Sequence, residues 1–135
     1  MSNGETFLAR WRPHLLSILR IVAGFLIATH GAQKLFGFPA RLPGGTVPLM
    51  SLFGIAGIIE TTGGILLMLG LFTRIAGFVL AGEMAVAYFM VHAPNGFWPL
   101  MNKGELAVLN CFVFLYFAAA GAGEWSLDRV LRRRA

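Results

Sequence analysis

The stretch Pro48–Arg74, PLMSLFGIAGIIETTGGILLMLGLFTR, decides how this chain is read. It is long and apolar enough to cross a bilayer, yet Glu60 stands near its middle. A charge at that depth costs about 2.5–3.5 kcal/mol on insertion scales, so an intramembrane carboxylate is a functional candidate by default. Gly57, Gly63 and Gly64 lie beside it and allow another helix to approach the backbone closely. Arg74 closes the stretch as a charged end-stop.

Composition agrees. Of 135 residues, 57% are hydrophobic and only 13% charged, against about 25% charged in a soluble domain. The chain reads as an integral membrane protein of one domain, residues 1–135. The net charge of +5 does not point to nucleic acid, because the basic residues gather at the two termini beside apolar runs. Cys111 is the single cysteine, which excludes an internal disulfide and a CxxC redox motif. The apolar run after Arg10 and Arg12 is too long for a signal-peptide core, so the first span is expected to remain.

Working outward, residues 1–11 read as a polar, frayed start. Pro13 suits the first turn of a helix, and spans follow at about 14–36, 48–72, 75–92 and 104–122. GFPARLPGGTV (37–47) and APNGFWPLMNK (93–103) carry too many helix breakers to span. Only Thr73-Arg74 separates the second and third spans. Ser126 is a candidate N-cap for a short amphipathic tail helix. The expected fold class is all-α: an integral membrane antiparallel four-helix bundle with both termini cytoplasmic. Arg10, Arg12, Arg74, Arg129, Arg132, Arg133 and Arg134 fall on the termini side, and Arg41 and Lys103 on the other. The positive-inside rule sets that orientation, with Trp11 and Trp125 at the inner interface and Trp98 at the outer one. Gly24 with Ala28, and Gly77 with Ala81, mark further close helix contacts.

Arg20, His30 and Lys34 interrupt the first span and fall within about an 80° arc of one helix face. Glu60 and Glu83 lie near mid-depth in spans two and three. Glu105 starts span four, and His92 ends span three. Depth alone pairs Arg20 with Glu60 or Glu83, and gathers Lys34, His92 and Glu105 as an outer group. Each residue also has a structural reading: a buried pair for Arg20, a snorkelling interfacial residue for Lys34, a satisfied polar side chain for His30, an interfacial one for His92. The functional reading rests on the set. Glu60 and His30 are the candidate catalytic, proton-handling groups; Lys34, Glu105, Arg20, Glu83 and His92 are the candidate ligand-binding ones. Histidine and glutamate at successive depths can relay protons or hydrogen-bond the carbonyls of a quinone. No metal is expected, since neither HExxH nor the paired Glu-x-x-His set of di-iron bundles occurs.

Five segments in order resemble the DoxX family of small bacterial membrane proteins: HGAQKLFGF (His30–Phe38), ETTGGILLMLGLFTR (Glu60–Arg74), HAPNGFWP (His92–Pro99), NKGELAVL (Asn102–Leu109) and GAGEWSLD (Gly121–Asp128). The resemblance runs from about Leu16 to Asp128. It implies a four-helix inner-membrane protein linked to redox work. One branch of that family resembles a subunit of a thiosulfate:quinone oxidoreductase. Another is associated with a membrane complex containing a thiol-transfer enzyme and superoxide dismutase. The family's polar motif falls on His30, Lys34, Glu60 and Glu105. One departure is Asn102-Lys103, where the pattern leads us to expect a second glycine.

The leading expectation is therefore a quinone-linked redox subunit working in the lipid bilayer, with electrons supplied by a partner or a bound quinone. Two alternatives stand beside it. One is a non-enzymatic scaffold that holds soluble redox enzymes at the cytoplasmic face through residues 125–135. The other is a small-molecule or lipid transporter, for which a homo-oligomer would complete the pathway.

Overall fold

The computed structural model describes residues 6–134, so the part of the expected frayed start in residues 1–5 lies outside the described residues, as does residue 135. Every regular element among the described residues is helical. These are α1 (Phe7–Phe36), α2 (Leu52–Leu69), α3 (Thr73–Ala87), α4 (Pro99–Asn102), α5 (Glu105–Ala120) and α6 (Leu127–Arg132). A π-helical turn (Tyr88–His92) and a 3-10 turn (Ala93–Asn95) prolong α3.

Helix α1 begins earlier than expected. Phe7–Trp11 is helical, not frayed, and Pro13 lies inside the helix. A ladder of rings holds this start: Phe7 on Trp11, Trp11 on His14 and His14 on Trp125, with centroids 6.1, 5.4 and 5.3 Å apart. Helix α2 starts at Leu52 rather than Pro48, because Ser51 caps it: the Ser51 hydroxyl accepts from the Gly54 N–H at 3.0 Å. It ends at Gly70, whose φ of +65° favours glycine. The link to α3 is thus Gly70-Leu71-Phe72, and Thr73 and Arg74 already belong to α3.

Three helical segments are long and apolar enough to cross a membrane: Phe7–Phe36, Leu52–Leu69 and Thr73–Asn95. Helix α5 is apolar but has only 16 residues, about 24 Å at 1.5 Å per residue.

Helices α1 and α2 run antiparallel with their backbones in contact. A Cβ on Gly24 would lie 2.8 Å from the Gly64 carbonyl oxygen, and one on Gly31 2.6 Å from that of Gly57. Helices α3 and α5 pair in the same way, with Gly77 against the Phe114 carbonyl. The core between the two pairs consists of Ile27, Leu67, Ala76, Leu80, Ala81, Met84, Phe114 and Phe117. Large apolar side chains such as Phe25, Ile55, Phe78 and Phe112 are exposed on the outer faces. A surface of that kind is suited to lipid, where only closed backbone structures such as helices persist.

Candidate functional site

The glycine contacts between α1 and α2 set the position of the main polar pair. Gly31 lies against Thr61 and Gly57, and Lys34 follows one turn later beside Glu60. The Lys34 ammonium donates to both Glu60 oxygens, at 2.7 and 2.6 Å. Glu60 is 3% exposed. Such a pair persists away from water only when geometry is good and both groups stay together.

Lys34 lines two cavities. One, about 320 Å³, lies between α1, α3 and α5 and also takes in His30, Glu60, His92, Lys103 and Asn110, with an apolar wall that includes Ile27, Met84 and Leu106. The other, about 230 Å³, is a cleft between α2 and α3 whose polar residues are Lys34 and Glu83. The buried Glu83 Oε2 has no hydrogen-bond partner among the described residues.

A polar knot closes the loop end of the larger cavity. His92 Nδ1 lies 3.1 Å from the Asn102 carbonyl oxygen, which can only accept, so the proton sits on Nδ1. The buried Asn102 side chain donates to the Gly96 carbonyl at 2.6 Å and accepts from the Gly104 N–H at 2.8 Å. Tyr88 donates to the Phe97 carbonyl. The π-helical turn, a feature often found at functional sites, carries both Tyr88 and His92 into this knot.

Sequence reasoning missed three contributors. Asn110 is a lone amide in an otherwise apolar helix, a signal that was available. Asn102 and Lys103 stand where a second glycine was expected, and Lys103 does adopt φ +62°, a conformation that favours glycine.

Two expected pairings are corrected. Among the described residues Arg20 pairs with no carboxylate. It is fully buried, and its Nε donates to the Ala122 carbonyl at 2.8 Å. Its Nη1 donates to the carbonyls of Leu67 and, at 3.0 Å, Met68, and its Nη2 to that of Trp125 at 2.5 Å. The ends of α2 and of the chain bring these carbonyls closer to Arg20 than either glutamate. Lys34 is not grouped with Glu105 either. Glu105 is exposed at the start of α5 and lines a different groove, with Pro99, Lys103 and Leu109, while Leu106, Ala107 and Asn110 of the same helix line the larger cavity. His30 and His92 do share the larger cavity with Lys34.

Among the described residues no three His, Cys, Asp or Glu side chains gather as a metal-binding group. Cys111 is free and partly buried.

Long apolar helices packed through glycines, with a buried ion pair between them, define an integral membrane protein of the polytopic helical class. The DoxX family model matches residues 15–93, more than half of the chain. The chain belongs to the DoxX family. An uncharacterized protein of Haemophilus influenzae is 46% identical, over 90% of this chain and 93% of its own length. The inner membrane protein YqjF of Escherichia coli is 28% identical, over 87% of this chain and 92% of its own length. A Bacillus subtilis protein named "Putative oxidoreductase CatD" is 28% identical over 82% of each chain. No solved structure matches the chain.

Proposed function

We propose that this protein is a quinone-binding subunit of a redox system in the bacterial inner membrane, an antiparallel four-helix bundle with both termini cytoplasmic. The observation that carries the reading is the larger cavity. It sets the Lys34–Glu60 pair, His30, His92 and Asn110 against an apolar wall, in a volume of about 320 Å³. Small-molecule pockets begin at about 300 Å³ and combine apolar walls with a few convergent polar groups. A flat ring with two carbonyl acceptors fits that donor set. The name of the Bacillus subtilis relative supports redox work. The arginine-rich termini support the orientation.

Each residue has a role in this reading. Lys34, the histidines and Asn110 supply hydrogen bonds to ring oxygens. Glu60 and His30 carry protons, because reduction of a quinone to its quinol takes up two electrons and two protons. The electrons come from a sulfur donor supplied by a partner: two thiols going to one disulfide give up two electrons and two protons, which matches what the quinone takes up. The apolar faces of the helices keep the ring within reach of the lipid in which its tail dissolves.

The test is purification in mild detergent, followed by extraction and quantification of bound quinone by mass spectrometry and by its redox difference absorbance. Near-stoichiometric quinone is expected in the wild-type protein, with at least a tenfold loss in Glu60→Gln and Lys34→Met. Its absence from the wild type, or equal amounts in all three, overturns the reading.

A further inference from the structure

We infer that the α2–α3 cleft is a second binding site, adjoining the larger cavity, for the hydroxyl group of a bilayer-borne aromatic alcohol, with Glu83 as its hydrogen-bond acceptor. The cleft holds about 230 Å³ and meets the larger cavity along Lys34, Phe53, Ala87 and Val91, but takes in neither His30 nor His92. Its walls come from residues such as Phe53, Ile59, Val79 and Met90. Phe53, Val79 and Met90 are exposed on the outer faces of the two helices, where lipid lies.

Lipid chains can fill such walls, but they cannot satisfy Glu83. Its Oε2 is buried and without a partner, in a position about ten residues, or about 15 Å, along α3 and so near mid-depth. A buried polar atom left unpaired costs about 1–3 kcal/mol, so an occupant that brings a donor to the end of an apolar body is favoured over an acyl chain. Lys34 decides which donor. Its ammonium lines the same cleft and disfavours a second cation, so an amine is excluded and a neutral hydroxyl selected. An aromatic hydroxyl is the stronger donor among neutral ones, and its ring suits the apolar walls of the cleft. This rests on the proposed function only for the identity of the ring: the reduced, hydroxyl-bearing form suits an acceptor, as the oxidised form suits the donors of the larger cavity.

The experiment uses the full chain in lipid nanodiscs, under argon, titrated calorimetrically with decyl-benzohydroquinone and with its dimethyl ether, with empty nanodiscs as the blank. The hydroquinone is expected to bind saturably and at least tenfold more tightly than the ether. Glu83→Leu should erase that preference, and Ala56→Phe should abolish binding by filling the cleft. Glu83→Leu should also keep or raise the thermal midpoint, because it removes an unpaired buried oxygen. Equal binding of the two probes, an undiminished preference in Glu83→Leu, or a lowered midpoint in that variant each overturns the inference. Quinone lost from Lys34→Met while wild-type hydroquinone binding is absent would break this inference and leave the proposed function standing. The reverse pattern would do the opposite.

Discussion

Each end of the molecule shelters a cation of α1, Arg20 fully buried and Lys34 half-buried, and the two are handled in opposite ways. At the termini end, Arg20 spends its donors on backbone carbonyls of α2 and of the segment after α5. Arg74 does the same for the last turn of α5, donating to the Ala118 and Ala119 carbonyls. Asp128 accepts from the Phe72 and Thr73 N–H groups at 2.8 and 2.9 Å, at the start of α3, where a negative charge is favoured. Charges here close helix ends. At the loop end, Lys34 faces a single carboxylate between two cavities, with an unpartnered glutamate oxygen close by. A buried cation with four of its five N–H donors on the backbone has little capacity left for a ligand. A cation held by one side chain beside open space keeps its options. The difference separates a fastener from a site.

The sharpest way to break that comparison is Arg20→Met. It takes the guanidinium away from four carbonyls at the junction of α1, α2 and the tail, of which that of Leu67 keeps the Gly70 N–H, and the loss should be about 3–5 kcal/mol, read as a fall in thermal midpoint or as failure to accumulate in the membrane. Arg20→Lys should rescue little, since a point charge cannot replace the guanidinium fork. If Arg20→Met folds normally but loses bound quinone, the two ends have been assigned the wrong way round.

Next comes a cycle at the loop end. Lys34→Met alone leaves Glu60 unpaired and should cost about 3 kcal/mol. The double variant Lys34→Met with Glu60→Leu should recover most of that stability, while ligand binding stays absent. A double variant as unstable as the single one would show the pair to be a structural fastener like Arg20.

A smaller effect is expected at Asp128. Asp128→Ala removes an N-terminal acceptor for α3 and should lower stability by about 1–2 kcal/mol, measured by chemical or thermal unfolding in detergent, with quinone content unchanged. The smallest is Lys103→Gly. It relieves the left-handed backbone at φ +62° and should raise stability by up to about 1 kcal/mol, while removing one cation from the cavity rim. Any loss of stability would mean that the lysine side chain contributes more than its backbone costs.

How much of this was legible in the sequence depends on whether the partner of a residue was a side chain. Apolar runs, Gly and Pro placed the other three long helices to within a few residues, while α1 starts well before the expected His14. Gly24, Gly57, Gly64 and Gly77 were legible as contact points because close approach requires the absence of a side chain. Glu60 was legible as a buried charge, but its partner was not: depth paired it with Arg20 and set Lys34 and His92 with Glu105. The partners of Arg20 were not, because a carbonyl belongs to every residue and leaves no mark in composition. Glu105 was misplaced for a related reason: depth fixes height along the membrane, but not which side of α5 faces the cavity. Phe7–Trp11 was missed because its helix is supported from Trp125, at the other end of the chain.

The reach of Arg20 across the sequence has a consequence for how the protein is made. Its bonds to Leu67 and Met68 become available when α2 is complete, but those to Ala122 and Trp125 lie 102 and 105 residues further along the chain. At about 5–20 residues per second, synthesis takes about 5–20 s to deliver them. For that interval a guanidinium already inserted with the first helix has only part of its complement. The segment after α5 completes the membrane domain, and a chain stopped at the end of α5 leaves the Arg20 guanidinium short of two of its acceptors in the bilayer.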